Sequence, residues 1–165
     1  MTTDAQQTQY KMQNNLLSLS IQYADPRHKT IATRARVRRW VSAALQACST
    51  SAKPTAPATI TVRFVGADEG RELNHSYRKK NYATNVLTFD YEHEPCEADI
   101  VICAPIIEQE ATEQNKALTD HYAHMLVHGT LHARGYDHER ARDAKVMEAL
   151  EVEILHSLKL QNPYL

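Results

Sequence analysis

Two hydrophobic rhythms alternate along this chain. Residues 16–23, LLSLSIQY, and 59–65, TITVRFV, set apolar and polar side chains in turn, the period of a strand with one buried face. Val86–Tyr91 and Asp99–Cys103 read as two further strands. Val37, Trp40, Val41, Ala44, Leu45 and Cys48 instead return at the spacing of one helical face, which predicts a helix over residues 30–47. The segment STSAKPTAPA after it mixes two prolines with small polar residues and reads as a loop. A short helix is expected over Asp68–Tyr77, and Pro105 opens another that runs towards Lys116. A long helix follows over Leu118–Arg134. A last one, over Arg140–Lys159, is expected to bury Met147, Leu150, Ile154 and Leu158. Residues 1–14 read as a disordered tail. Strands fill the first two thirds and helices the last third, which predicts an α+β fold: a single mixed β-sheet packed with helices.

Composition narrows the class. A chain of 165 residues suits one domain with a working core. The formal net charge of -1 excludes a uniformly basic nucleic-acid coat but leaves room for a local basic face. Three cysteines, Cys48, Cys96 and Cys103, form no CxxC pair and an odd set. They predict reduced thiols, not a disulfide framework. The first residues lack a signal-peptide run, and no apolar stretch reaches the length of a membrane span, so a cytoplasmic protein without a membrane segment is expected.

The chemistry concentrates in His128-Gly-Thr-Leu-His132-Ala-Arg-Gly135-Tyr136-Asp137-His138. On a helix, His128 and His132 leave the same face one turn apart, so both imidazoles can reach one ion. Gly135 is a candidate left-handed helix end that turns the chain back and brings His138 to the same ion. The spacing is that of the metzincin zinc site. Three histidines leave a fourth position open, the arrangement of a catalytic zinc, one per chain. His124 extends the stripe, but eight residues of helix span about 12 Å, so one ion cannot take all three. It is read as a packed residue or one that supports a ligand from behind, and His121 as solvent-facing. Asp137 either accepts a hydrogen bond from a ligand imidazole or serves the turn.

Gly129 stands where HExxH peptidases carry the glutamate that acts as general base. The metal site survives this change; the peptidase machinery does not. Phosphodiester hydrolysis is a candidate, because a metal and a cation can carry much of its charge stabilisation.

With Gly129 in place, the segment resembles the H-G-x-L-H-x-x-G-Y-D-H motif of the YbeY family of bacterial endoribonucleases. Asn74-His-Ser-Tyr77-Arg78 followed by Thr84-Asn85-Val86-Leu87-Thr88-Phe89 is similar to that family's arginine block and next strand, and Ala98–Ile102 to the strand after it. Asn81, Ala83 and Asp90 depart from the common pattern. The resemblance implies a zinc-binding α+β fold and cleavage of single-stranded RNA in ribosomal RNA maturation and ribosome quality control, with the small ribosomal subunit as partner. It implies His128, His132 and His138 as ligands and Arg78 as the active-site arginine. Residues 15–165 then form a single metal-dependent hydrolase domain, with the metal on the long helix and the turn after it.

Around this centre, Lys79 and Lys80 continue a short basic run from Arg78. Arg34, Arg36, Arg38 and Arg39 follow Arg27, His28 and Lys29, and Arg34 and Arg38 are candidates to track an RNA backbone; a solvated helix face is the other reading. Tyr82 and Tyr91 could stack on bases or simply pack. The acidic last helix (Glu148, Glu151, Glu153) is expected to face away from RNA. No residue is singled out as general base. Two rivals remain: a non-catalytic RNA-binding assembly factor with structural zinc, and a metal hydrolase of another substrate such as a peptide.

Overall fold

A computed structural model describes residues 4–6, 16–48 and 57–165. Most of the expected 1–14 tail and of the STSAKPTAPA loop lies outside the described residues. The elements run β1 (Leu17–Tyr23), α1 (Arg34–Ala47), β2 (Ala58–Val65), α2 (Ala67–Arg78), β3 (Val86–His93), β4 (Cys96–Cys103), α3 (Ala104–Glu113), α4 (Leu118–Ala133) and α5 (Ala141–Ser157). The sheet order is β1-β2-β4-β3. β1 pairs with β2, and β2 with β4, in parallel; β3 is the antiparallel edge. This is the expected α+β fold with one mixed sheet.

The two faces of the sheet follow from the period of two. Ile60, Val62 and Phe64 of β2 and Ala98, Ile100 and Ile102 of β4 join the main core with Val37, Trp40 and Val41 of α1, Leu126 and Leu131 of α4 and Ile154 of α5. Val65, Leu87, Val101 and Cys103 point the other way, under Leu73 of α2 and Ile106 of α3. Full burial of side chains such as Leu126 and Leu131 contributes about 1.5–3 kcal/mol each.

Element ends differ from expectation for local reasons. Helix α1 starts at Arg34 because Thr33 caps it, its Oγ1 accepting the Arg36 N–H at 3.3 Å. β3 runs on to His93 and β4 begins at Cys96, because ladder pairing such as His93↔Cys96 extends the hairpin past the apolar residues, with a bulge between Asp90 and Glu92.

Helix α4 decides where the site sits. It lies between the sheet and the helices α1 and α5, and most of its residues are buried. Gly129 permits its close approach: a Cβ there would stand 2.9 Å from Ile100 Cγ2 and 3.3 Å from Val86 Cγ2. The Gly129 carbonyl also accepts the Thr88 hydroxyl at 3.2 Å. A polar side chain on so enclosed a helix must find partners inside the protein or line an opening.

Candidate metal centre

The helix ends by the expected device. Gly135 adopts φ 93°, and the Tyr136 N–H donates to the Leu131 carbonyl at 3.0 Å. The chain doubles back and brings the His138 ring to 5.3 Å from that of His128 and 4.8 Å from that of His132. One ring nitrogen from each of His128, His132 and His138 lies within 4.8 Å of the others, so the trio could hold a metal ion.

The hydrogen bonds behind the rings determine which nitrogens are free. His132 Nδ1 sits 2.9 Å from the Tyr136 carbonyl, which can only accept, so Nδ1 carries the proton. His128 Nδ1 sits 2.5 Å from Glu151 Oε1 and donates to that carboxylate. In the neutral rings both Nε2 atoms then present lone pairs, 3.1 Å apart. Two lone pairs facing each other repel unless a cation lies between them. Nitrogens bound to one tetrahedral zinc at about 2.0–2.1 Å stand roughly 3.3 Å apart, so the spacing fits such an ion. Burial, together with the neighbouring His128 and His138 imidazoles, pushes the His132 pKa down to about 4. The ring is then neutral at ordinary pH, as a ligand must be.

Glu151 corrects the sequence expectation. The acidic last helix is expected to face away from RNA, but its Glu151 is fully buried beneath the centre. Burial pushes its carboxyl up, but hydrogen bonds from His124, His128 and Tyr164 outweigh this and hold it well below the usual carboxylate range. A signal was present: Glu151 falls four residues after Met147 and three before Ile154, inside the apolar stripe of α5. His121 is the second correction. It is buried, not solvent-facing, with Nε2 3.0 Å from Glu110 Oε1, because α3 packs over that turn of α4. His124 is buried too, with Nε2 3.3 Å from Glu151 Oε2, behind the trio. Asp137 serves the turn: its Oδ1 accepts the His138 N–H at 2.7 Å and the Glu139 N–H at 3.2 Å.

A cleft of roughly 660 Å³ opens in front of the centre, lined by His132 and His138 and also by Tyr77, Arg78, Lys80 and Thr88. Arg78 ends α2 and is exposed. Two asparagines pin the loop after it. Asn74, buried, donates to the Tyr82 carbonyl at 2.7 Å, and Asn85 accepts the Val86 N–H at 2.7 Å. Lys79 takes the left-handed cap position at φ 60° and is not among the lining residues. Arg34 and Arg38 stand elsewhere. They donate to the Ile21 and Leu17 carbonyls of β1, the sheet edge opposite the β3 edge that lines the cleft. Tyr82 is exposed, and Tyr91, also exposed, donates to Asp99 Oδ2 at 2.8 Å.

Comparison with known proteins agrees with this picture. The family model described as Endoribonuclease YbeY matches residues 20–159. A protein of Methylibium petroleiphilum named Endoribonuclease YbeY is 53% identical over 150 residues, 90% of this chain and 95% of the relative. One of the same name from a Polaromonas species is 54% identical over 154 residues, 90% and 94% of the two chains. One from a Janthinobacterium species is 51% identical over 158 residues, 93% and 98%. Among solved structures, the solution structure of a Thermotoga maritima protein superposes with a TM-score of 0.54 at 21% identity, covering 87% of this chain and 91% of that one, and supports the fold. With a family model matching most of its length and relatives at about half identity across nearly all of it, this chain belongs to the YbeY family.

Proposed function

We propose that this chain is a zinc-dependent endoribonuclease that cuts single-stranded RNA in the cleft lined by His132, His138 and Arg78. One observation carries the reading beyond family membership: His132 and His138 line the same cleft as two cations, Arg78 and Lys80. In this scheme His128, His132 and His138 hold one zinc ion. Such an ion supplies Lewis acidity towards a phosphoryl oxygen or an attacking water. The Arg78 guanidinium has no protein partner among the described residues and is free to grip a phosphate with two parallel hydrogen bonds. Lys80 adds a point charge for the backbone, and Tyr77, exposed on the same wall, offers a ring face to an unpaired base.

Gly129 argues against peptide hydrolysis by the HExxH route. Any side chain at 129 starts towards Ile100 and Val86 of the sheet, so no base can be placed there. Residues 15–165 act as one hydrolase domain in this scheme. Ribosomal RNA and the small subunit are the substrate setting that the family resemblance suggests. The free thiols Cys48, Cys96 and Cys103 suit the reducing cytoplasm, and among the described residues no helix is long and apolar enough to cross a membrane.

The test is incubation of purified protein with labelled single-stranded RNA, with and without a chelator. Cleavage that stops on chelation and returns with zinc supports the scheme. Binding without cleavage under all metal conditions favours the assembly-factor alternative, and metal-dependent cleavage of casein instead of RNA favours a peptidase.

A further inference from the structure

Glu151 contributes no group to the cleft, yet three donors converge on it. His128 Nδ1–H reaches Oε1 at 2.5 Å, His124 Nε2–H reaches Oε2 at 3.3 Å, and the Tyr164 hydroxyl donates to the same Oε2. The residue is fully buried, where a carboxylate is retained only when its oxygens are paired. Two of its three partners stand on the histidine stripe of α4, and one of them is a member of the trio.

Tyr164 does not reach Glu151 by chance of a loose segment. Its N–H donates to Asn162 Oδ1 at 2.9 Å, and Lys116, just before α4, donates to the Pro163 carbonyl at 2.7 Å. Its ring packs edge-on against His124 with centroids 5.6 Å apart. The stretch after α5 is thereby strapped across the base of α4 with its hydroxyl against the carboxylate.

We propose that Glu151 and Tyr164 are positioning residues of the metal centre: Glu151 fixes the tautomer and direction of His128, Tyr164 fixes Glu151, and the segment after α5 thereby sets how tightly the trio holds its ion. This rests on the metal reading above. An imidazole whose Nδ1–H is held by a carboxylate presents its Nε2 lone pair, and presents it more strongly. Remove the carboxylate and the ring is free to swap tautomers and swing away from the ion. Asp137, the carboxylate next to His138 in the chain, is already engaged with backbone N–H groups and cannot stand in without giving up the turn.

The experiment measures zinc affinity by competition with a chromophoric chelator for the wild type, Glu151→Gln and Tyr164→Phe. The visible spectrum of the cobalt(II)-loaded proteins and the melting of the metal-free proteins are recorded alongside. Glu151→Gln, which keeps size and shape, should weaken zinc binding about 10–100-fold and shift the cobalt bands. Tyr164→Phe should weaken it by about tenfold, the low end of that range, with metal-free melting near that of the wild type. Should Glu151→Gln fail to fold, Tyr164→Phe decides alone. Affinities and cobalt spectra indistinguishable from the wild type would overturn the proposal. So would a loss of affinity that merely tracks lost metal-free stability, which assigns the pair to packing. A wild type that binds no zinc removes the metal reading itself, a distinct failure.

Discussion

Helix α4 carries four histidines on successive turns, and its two halves treat them differently. In the first half His121 and His124 are 3% and 8% exposed and face carboxylates, Glu110 and Glu151. In the second half His128 and His132 are half-buried, spend their Nδ1 atoms on Glu151 and the Tyr136 carbonyl, and turn their Nε2 atoms to each other and to His138. The residue type and the near-helical spacing are the same. What differs is what the tertiary fold sets opposite each ring: α3 and α5 cover one half, and the other meets a cleft and a returning turn. Among the described residues, only the second half has its back nitrogens occupied and its front nitrogens turned to one another, so that the rings could hold a metal ion.

The sharpest way to break this contrast is substitution along the stripe. His128→Ala or His132→Ala should take metal content from about one ion per chain to near zero, since each removes one of three ligands. His124→Ala should retain most of it. Elemental analysis of the purified variants decides, and metal lost only with His124 would reverse the assignment of the two halves.

Arg78 tests whether the open half does chemistry. Arg78→Ala should slow single-turnover RNA cleavage roughly a hundredfold, about 3 kcal/mol of transition-state stabilisation, with metal content unchanged. Arg78→Lys should fall well short of wild type, because lysine keeps the charge but not the planar fork. A wild-type rate in Arg78→Ala would make it an ordinary loop residue.

For the covered half the expected currency is stability. His121→Ala leaves a cavity and deprives Glu110 of one partner, although Asn85 Nδ2 still donates to it at 3.1 Å. Unfolding in urea should show a loss of about 2 kcal/mol with metal content intact. Gly129→Ala, between the halves, should also destabilise. The gain in helix propensity of roughly 1 kcal/mol is outweighed by overpacking of about 1–3 kcal/mol against the branched methyls of Ile100 and Val86. An increase in melting temperature would mean that α4 can back away from the sheet.

The smallest effect is in pH. Burial lowers the pKa of His121, and burial with neighbouring imidazoles lowers that of His132 to about 4. The unfolded chain, with histidine near 6.5, then binds more protons than the folded one between these values. Stability of the metal-free protein is whole above about pH 6.5 and drains as pH falls towards 4, the His132 share being about 1 kcal/mol after allowance for solvent screening. Melting from pH 7.5 to 4.5 should show the decline, and His132→Ala should make it shallower. A flat profile in the wild type would mean that the rings are not held neutral by the fold.

Much of the fold was legible in the sequence. Strand β2 and helices α1, α4 and α5 lie within a few residues of where their hydrophobic periods put them, because burial of one face enforces one period. The ends of α1 and of the β3–β4 hairpin were less legible, since a threonine cap and backbone pairing between polar residues leave no apolar trace. The motif marked the trio and Gly135. It did not mark Glu151, whose place inside an apolar stripe was visible but whose partner sits on another helix.

By itself the sequence determined the chemistry that α4 and the turn after it can offer: which side chains lie one helical turn apart, where a left-handed residue turns the chain back, and that position 129 holds no base. These are local matters, settled by rise per residue and by the steric freedom of glycine. Only the tertiary structure decided which histidines turn free ring nitrogens to one another. The tautomer of His128 depends on a carboxylate 23 residues further on, held by Tyr164, and the burial of His121 depends on α3. Arg78 reaches the cleft because α2 ends beside the antiparallel edge of the sheet. Hydrogen bonds and burial between distant segments come from packing, and no spacing along one helix encodes what will stand opposite it.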